Sequence, residues 1–487
     1  MKLARILFGS ALLPACLALY GCSIAAGDGG DGDTTGTGGA GQAATGGHTM
    51  SGSGAGSGGA ASAGSGGSPA KGSGGAPAAG SGGSATSGSG GMAGGRAAGS
   101  GGAGGRASTG SGGARSGAGG GSSSGSGNST GANGGANGSS SDTMTVPGSG
   151  CTPPAAYGNL FISLLGETQD AVDMKIQTAW SQLFNPSNAN TIFYTGPGTG
   201  EAYVKDVADN AVRSEGQSYG MMVAVQLNHQ TEFDELWTFA KNHMWKGNVI
   251  SWQTSTSGSV TGSGGAPDGD EWFAAALVFA HNRWGDTSGK FDYGMEAQKT
   301  LDLVRTTDFS PTENLVRYFT GSDSNGTDAS YMLPAFYQTW ACFDTANADF
   351  WNKALTTTRA WLQTAAGSTG NIGDQSSFAG KTTNSGGDDK LRTVANFMSD
   401  YNFFNADPFE ATYASEYATW VQSNNNGSTA MLACNALRGF GLPATTGKPF
   451  VQKLWSAAIP TGNYRYYDGA LYMIALLHVS GTFHLWY

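Results

Sequence analysis

The stretch VDMKIQTAWSQL, residues 172–183, sets the fold class because its large apolar side chains recur every three or four residues. Val172, Ile176, Trp180 and Leu183 follow this spacing, which places them on one face of an α-helix. Similar apolar stripes continue almost to the C-terminus, whereas strand-like alternation is scarce. The sequence therefore predicts an all-α domain with Trp180 in its core.

The periodic segments predict about twelve helices, separated by short turns rich in Gly, Asn, Asp and Pro. Such a series is typical of a closed toroid of helical hairpins, an (α/α)6 barrel. An open α-solenoid is the alternative, but the sequence has no fixed-period repeat, which disfavours it. The predicted helices lie near residues 167–184, 215–227, 231–244, 270–283, 293–306, 330–342, 347–365, 390–403, 408–422, 428–438, 449–457 and 466–479.

Residues 1–22 have the pattern of a signal peptide, with a short basic start and an apolar run too short to span a bilayer. The run ends in LYGC, residues 19–22, which resembles a lipobox and predicts lipid attachment at Cys22. Ordinary cleavage near Ala25-Ala26 is the alternative. Ser23 after the cysteine favours a secreted protein anchored at the outer membrane or surface of a two-membrane bacterium.

Residues 23–150 consist almost entirely of Gly, Ser, Ala and Thr and contain most of the 82 Gly of the chain. A segment without apolar periodicity cannot bury a core, so we predict a disordered linker. About 120 such residues form a coil that spans on the order of 60 Å. That length is enough to hold a domain away from a membrane.

Residues 151–487 hold nearly all the aromatic side chains and form one predicted domain. The chain has 25 Lys and Arg against 35 Asp and Glu, and this acidic balance argues against a nucleic-acid partner. Cys151, Cys342 and Cys434 allow at most one disulfide, whose partners spacing does not fix. No His has the spacing of a metal ligand pair, so neither a catalytic metal nor a cofactor is predicted, and we expect a monomer.

Three acidic residues stand out because each lies at a predicted helix start beside glycine or aromatic residues: Glu215, Asp268 and Asp389. Residues 214–217 and 268–271 also fit capping boxes, so helix capping alone is the alternative explanation. In a toroid of hairpins the helix starts can surround one concave face. The three carboxylates could therefore meet there.

Three long motifs resemble glycoside hydrolase family 8, and most closely its reducing-end xylose-releasing exo-oligoxylanases. They are SEGQSYGMM at 214–222, APDGDEWFAAALVFAHNRW at 266–284 and TGNYRYYDGALYMIALLHVSGTFHLW at 461–486. The resemblance runs in order from about residue 157 to the C-terminus. It implies an inverting hydrolase on an (α/α)6 barrel that cuts β-1,4-xylosidic bonds in xylan or xylo-oligosaccharides.

The resemblance also implies roles for individual residues. Glu215 matches the general acid, and Asp389 matches the base that activates water. Asp268 matches a third carboxylate that holds the distorted sugar, and Tyr331 matches a tyrosine that positions the water. The adjacent Asp388 is a second candidate for the base.

Four further residues are predicted to bind substrate because they lie in segments that resemble the sugar-binding groove of the family: Trp252, Arg392, Tyr466 and Tyr467. Flat aromatic rings stack on the apolar faces of sugars. Core packing is the alternative for each ring.

The sequence is also compatible with other functions. The family also contains β-1,4-glucanases, lichenases and chitosanases, and a non-catalytic glycan-binding lipoprotein is the alternative from another class. The exo-oligoxylanases share a Leu-His-Pro loop that blocks the groove, whereas this chain has Asn426-Gly427-Ser428 in the matching stretch. We therefore predict endo or mixed action, unless residues 367–387 close the same space.

Overall fold

The computed structural model describes residues 144–384, 389–424 and 427–487. Within these ranges the chain forms thirteen α-helices and seven short strands. The helices are α1 Leu160–Leu165, α2 Gln169–Leu183, α3 Ser214–Leu227, α4 Gln230–Phe239, α5 Pro267–Trp284, α6 Tyr293–Leu303, α7 Pro334–Phe343, α8 Ala348–Ala366, α9 Lys390–Phe404, α10 Phe409–Asn424, α11 Thr429–Ala436, α12 Ala444–Ser456 and α13 Arg465–Val479.

Alternate helices form a closed inner ring in the described part of the chain. Helices α3, α5, α7, α9, α11 and α13 each contact the next, and α13 returns to α3. A second helix packs outside each of them: α4 on α3, α6 on α5, α8 on α7, α10 on α9, α12 on α11 and α2 on α13. The domain therefore has the six-hairpin arrangement of an (α/α)6 barrel, and the solenoid alternative is wrong.

Burial separates the inner helices from the outer ones. In α3 every residue from Ser214 to Gln226 is buried, because neighbours surround this helix on all sides. In α2 burial follows the predicted stripe, which includes Val172 and Ile176. Trp180 is 8% exposed and stacks on Phe184 with 4.5 Å between ring centroids, so its predicted place in the core is confirmed.

A missed helix and a shifted helix start are two of the differences from the prediction, and both have local reasons. Helix α1 was not predicted, since its six residues are too few for a clear periodic pattern. Helix α12 begins at Ala444, five residues before the predicted start, and contains Pro449. Pro449 is the sixth residue of this helix, so its missing N–H removes one intrahelical hydrogen bond, and the helix is stabilised by the burial of Phe450, Val451 and Leu454.

The strands form three small antiparallel sheets in the loops: β1 Phe193–Thr195 with β2 Ala202–Val204, β3 Ala211–Arg213 with β4 Gln253–Ser255 and β5 Val260–Gly262, and β6 Gln375–Ser376 with β7 Thr382–Asn384. Strand β3 leads directly into α3. The N–H of Ser214 donates to the main-chain oxygen of Trp252 at 2.9 Å. The second sheet thus fixes the point at which α3 starts.

The two predicted capping boxes are not formed, so capping does not explain these acids. No side chain caps α3, and the amide of Gln217 instead bonds to the main chain of β2 and α4. In α5 no side chain caps the start either, and Glu271 is buried and accepts a hydrogen bond from the Tyr337 hydroxyl at 2.7 Å. Tertiary contacts use the groups that capping would have required.

Residues 144–150, the last seven of the predicted linker, are described in the structure and lie against the helical domain. The hydroxyl of Thr145 donates to the amide oxygen of Asn402 at 2.5 Å. A disulfide joins Cys151 to Cys342, and Cys434 is a buried thiol. In the part of the chain that is described, no helix is both long and apolar enough to cross a membrane. The signal peptide and residues 23–143 of the predicted linker lie outside the described residues.

Candidate active site

The guanidinium of Arg392 lies at the centre of the site and brings the three predicted carboxylates together. Its Nη1 donates to Glu215 Oε1 at 2.5 Å and to Asp268 Oδ2 at 3.1 Å. Its Nη2 lies 3.4 Å from Asp389 Oδ1. Glu215 and Arg392 are 177 residues apart in the chain, so only the closed barrel makes this contact possible.

The barrel explains why these acids meet. In a ring of hairpins the inner helices all run in the same direction, so their first turns lie at one end. Glu215 is the second residue of α3, Asp268 is the second residue of α5, and Asp389 directly precedes α9. The predicted gathering of helix starts on one face is therefore what the structure shows.

Glu215 is held in an environment that keeps its proton. It is 3% exposed, and its Oε2 accepts a hydrogen bond from the Tyr466 hydroxyl at 3.1 Å. Burial raises the pKa of Glu215 to about 8; the positive charge of Arg392 opposes this rise, and the charges of Asp268 and Asp389 add to it. One guanidinium cannot neutralise three carboxylates. Glu215 therefore carries a proton at neutral pH and can donate it.

Asp389 is fixed from two sides. Its Oδ1 accepts a hydrogen bond from the Tyr467 hydroxyl at 3.0 Å, in addition to the contact with Arg392. Beside it, Asp374 accepts the main-chain N–H of Lys390 at 2.8 Å and so secures the first turn of α9. Burial, followed by the nearby Asp389, raises the pKa of Asp374 to about 7. Asp388, the other candidate base, lies outside the described residues.

Tyr331 borders the carboxylate cluster, while the ring of Trp252 lies beside Arg213. The ring centroid of Tyr331 is 5.7 Å from the Arg392 guanidinium carbon, and Tyr318 stacks on this ring at 6.1 Å. The guanidinium carbon of Arg213 is 5.5 Å from the ring centroid of Trp252. Trp252 is half-buried, and it joins the site through the main-chain bond to the start of α3.

Sequence reasoning missed several residues that hold Arg392. The hydroxyl oxygens of Tyr219 and Ser330 each accept a hydrogen bond from the guanidinium at 3.0 Å. Asp328 in turn accepts the N–H of Ser330 at 2.8 Å. Tyr219 could have been found, because it follows Glu215 by one helical turn and shares its face. No local spacing indicates the other two.

The arrangement can donate and accept protons on two sides of a bound molecule. A buried carboxyl that keeps its proton and a second, separately fixed carboxylate are the two groups that acid–base hydrolysis requires. Among the residues that the structure describes, no group of three or more His, Cys, Asp or Glu side chains is arranged to hold a metal ion.

Comparisons with known proteins agree with this chemistry. Residues 191–481 match the model of glycosyl hydrolases family 8. The chain is 29% identical over 385 residues to the reducing-end xylose-releasing exo-oligoxylanase Rex8A of Paenibacillus barcinonensis, which covers 70% of this chain and 100% of that protein. The solved structure of Rex8A with xylose superposes with a TM-score of 0.64, over 68% of this chain and 98% of that chain.

Two further relatives are a protein solved in complex with xylobiose and an endoglucanase. A xylobiose complex from Teredinibacter turnerae is 31% identical, with a TM-score of 0.64 over 68% of this chain and 98% of that chain. Endoglucanase C of Ruminiclostridium cellulolyticum is 26% identical over 359 residues, which are 68% of this chain and 76% of that protein. Because the family model covers more than half of its length and the barrel carries the expected acids, the chain belongs to glycoside hydrolase family 8.

Proposed function

We propose that the protein hydrolyses β-1,4-xylosidic bonds in xylan or xylo-oligosaccharides with inversion at the anomeric carbon. The observation that carries the proposal is the pair formed by protonated Glu215 and Asp389 on one buried guanidinium. The similarity to a xylose-releasing exo-oligoxylanase and to a xylobiose-binding enzyme supports xylan as the polymer. The lower identity to Endoglucanase C makes β-1,4-glucan the second candidate.

In the proposed reaction Glu215 and Asp389 act on opposite faces of the sugar. Glu215 gives its proton to the glycosidic oxygen as the bond from this oxygen to the anomeric carbon breaks. Asp389 takes a proton from the water that attacks the same carbon. Such inverting pairs stand about 6.5–9.5 Å apart to leave room for the water. Asp268 holds the distorted sugar, and Tyr331 positions the water.

Tyr466 and Tyr467 are proposed to position these groups through their hydroxyls. Tyr466 is 2% exposed and donates to Glu215, which favours positioning over sugar stacking. Tyr467 is half-buried, so its ring can also contact a sugar while its hydroxyl bonds to Asp389. Trp252, with a half-buried ring, remains a proposed stacking platform.

The function is tested by incubating the purified protein with xylan, xylo-oligosaccharides, β-glucan and chitosan and by sizing the products. We expect turnover of the xylose polymers to exceed that of the others by about tenfold or more, the discrimination available to a shaped sugar pocket. Proton NMR of the first products should show the α-anomer, as inversion of a β-bond requires. If β-glucan or chitosan is turned over faster than xylan, that polymer is the substrate and the proposal of xylan is wrong.

Tyr466→Phe is expected to move the alkaline limb of the pH profile of kcat/KM to higher pH. The Tyr466 hydroxyl stabilises ionised Glu215 and so lowers its pKa, which burial sets at about 8. Loss of that hydrogen bond raises the pKa further, so Glu215 keeps its proton to a higher pH. Tyr472→Phe, on the same helix, is the control, because its hydroxyl bonds to Ala457 instead. A shift in the control, or none in Tyr466→Phe, contradicts the assignment.

The residues at 426–428 lead us to expect cleavage at internal bonds of the xylan or oligosaccharide substrate. Gly427 is exposed, and the Ser428 hydroxyl caps α11 by accepting the N–H of Met431 at 3.2 Å. Asn426 lies outside the described residues. With no Leu-His-Pro sequence here to block the groove, xylohexaose should give xylobiose to xylotetraose. Xylose and xylopentaose as the only initial products would instead support strict reducing-end release.

We further propose that the protein is secreted and lipid-anchored through Cys22, with residues 23–143 as a flexible linker. Deletion of residues 27–143 should leave the melting temperature and the turnover of soluble oligosaccharides unchanged, because such a composition cannot pack on a core. Cys22→Ser should release the protein from the membrane fraction. A large loss of stability in the deletion, or retention of Cys22→Ser in membranes, speaks against the corresponding part.

A further inference from the structure

Two wholly buried carboxyl groups, those of Asp270 and Asp308, are in contact near the start of α5. Asp270 lies in the first turn of α5, two residues after Asp268, and Asp308 ends the turn that follows α6; both are 0% exposed. Their side chains are in hydrogen-bond contact. Apart from that contact, three of their oxygens have no hydrogen-bond partner among the described residues. They are Oδ1 and Oδ2 of Asp270 and Oδ2 of Asp308. Two buried carboxyls in contact require a proton between them.

The surroundings place this proton on Asp270. Burial raises the pKa of Asp270 well above its usual value, and the charges of Asp308, Asp268 and Glu271 add to this rise. Burial also raises the pKa of Asp308, to about 7, against hydrogen bonds from two threonines and the charge of Arg317. Asp270 therefore keeps its proton and donates to Asp308.

Arg317, whose positive charge acts on Asp308, makes its own hydrogen bonds to other groups. Arg317 donates from Nε to Asp323 at 2.6 Å and from Nη1 to the main-chain oxygen of Thr307 at 2.8 Å. Glu271, the other acid on this side of α5, accepts the Tyr337 hydroxyl. A shared proton, rather than an arginine or lysine, therefore removes the charge repulsion between Asp270 and Asp308.

Asp308 in turn closes the loop of residues 308–321. Its Oδ1 accepts the hydroxyl of Thr320 at 2.8 Å and that of Thr307 at 3.1 Å. Its main-chain oxygen accepts the N–H of Arg317 at 2.7 Å. Both ends of the loop are therefore tied to the residue that receives the proton from Asp270.

The same loop reaches two parts of the active site. Tyr318 stacks on Tyr331, with an angle of 12° between the ring planes. Thr320 lies so close to Gly265, three residues before Asp268, that a Cβ there would come within 2.5 Å of its hydroxyl. The loop therefore contacts both the segment before α5 and Tyr331, the tyrosine proposed to position the water.

We propose that Asp270 and Asp308 are positioning residues whose shared proton holds the loop of residues 308–321, and through Tyr318 the ring of Tyr331, in the geometry that hydrolysis needs. The inference rests on the proposed function, in which Tyr331 positions water. If both carboxyls ionise, they repel each other, and Asp308 moves together with Thr320 and the loop.

The variant Asp270→Asn distinguishes the effect of the shared proton from the effect of the hydrogen bond to Asp308. The new amide N–H can donate to Asp308 without titrating, so Asp270→Asn should keep the contact with Asp308 but lose the pH dependence that the shared proton gives to stability. A group with a raised folded-state pKa stabilises the fold at low pH, and this stabilisation is lost as the pH rises through that value. As the pH rises above about 4, the usual pKa of an unfolded aspartate, the melting temperature of the wild type should therefore fall more steeply than that of Asp270→Asn.

Two further variants test the positioning. Asp308→Ala removes the tie, and Thr320→Val keeps the volume but removes the hydroxyl that binds Asp308. Both should lower kcat by about tenfold or more with a smaller change in KM, because misplacing a catalytic group by a fraction of an ångström costs rate rather than binding. Thr320→Val keeps the test decisive if Asp308→Ala does not fold.

The outcomes separate this inference from the proposed function. Melting temperatures need no substrate, so they test the shared proton even if no xylosidic bond is cut. Equal pH dependence of stability in the wild type and Asp270→Asn overturns the shared proton. Wild-type kcat in folded Thr320→Val, in a protein that does hydrolyse xylan, overturns the positioning role and leaves the proposed function intact.

Discussion

Glu215→Gln is expected to lower kcat on xylo-oligosaccharides by about 10²–10⁴-fold, the usual contribution of a positioned general acid. Burial raises the pKa of Glu215 to about 8, so the wild type carries the proton that the leaving oxygen needs at neutral pH. The amide of the variant retains the shape of the side chain but has no acidic proton. Turnover is measured on xylohexaose at fixed pH, and near-normal turnover contradicts the role.

An activated substrate separates this role from a loss of structure. The dinitrophenolate leaving group of an aryl xylobioside departs without protonation, so Glu215→Gln should recover most of the wild-type rate on it. Binding of xylo-oligosaccharides should also stay close to that of the wild type. A variant that stays inactive on the activated substrate has lost more than its acid, and the assignment to Glu215 then fails.

The stability of the same variant provides an independent check on the proton. Because the folded-state pKa of Glu215 is raised, its contribution to stability is greatest at low pH and is lost as the pH rises through about 8. Between pH 5 and 9 the melting temperature of Glu215→Gln should therefore rise relative to that of the wild type. Such a gain is expected where an active site keeps a strained group for function.

The fold was predictable from local patterns because helical periodicity needs only neighbouring residues. The stripe from Val172 to Leu183 is buried as predicted, and the predicted helices correspond to twelve of the thirteen observed. Closure of the ring depends instead on α13 meeting α3, a contact between distant segments that no local spacing encodes. From the sequence, the barrel therefore follows only from the number of helices and from the family resemblance.

The candidate site was predictable in its acids but not in what holds them. Glu215 and Asp268 lie in distinctive motifs, whereas Arg392 was expected to bind sugar, and its side chain is found among three carboxylates. Ser330 and Asp374 are visible only once the loops are folded, because their partners lie on other elements. Capping predictions failed at the same positions because tertiary contacts replaced local ones.

Asp389→Asn is expected to cause a loss of kcat as large as that of Glu215→Gln, about 10²–10⁴-fold, because an amide does not accept the proton of the attacking water. The hydrogen bond from Tyr467 can still reach the amide oxygen, so the side chain should keep its place. The two variants are expected to differ in their turnover of the activated substrate. A better leaving group does nothing for the water, so Asp389→Asn should stay inactive on the dinitrophenyl xylobioside.

Asp374→Asn is the matched control for the base, since it makes the same exchange of one carboxyl oxygen for an amide nitrogen in a neighbouring buried side chain. Its amide oxygen can still accept the N–H of Lys390 and secure α9, so turnover should remain within about tenfold of the wild type. Recovery of Asp389→Asn on the activated substrate would make Asp389 part of proton donation instead. Normal turnover of Asp389→Asn, combined with inactivity of Asp388→Asn, would move the base to Asp388, because an inverting enzyme needs one carboxylate to activate its water.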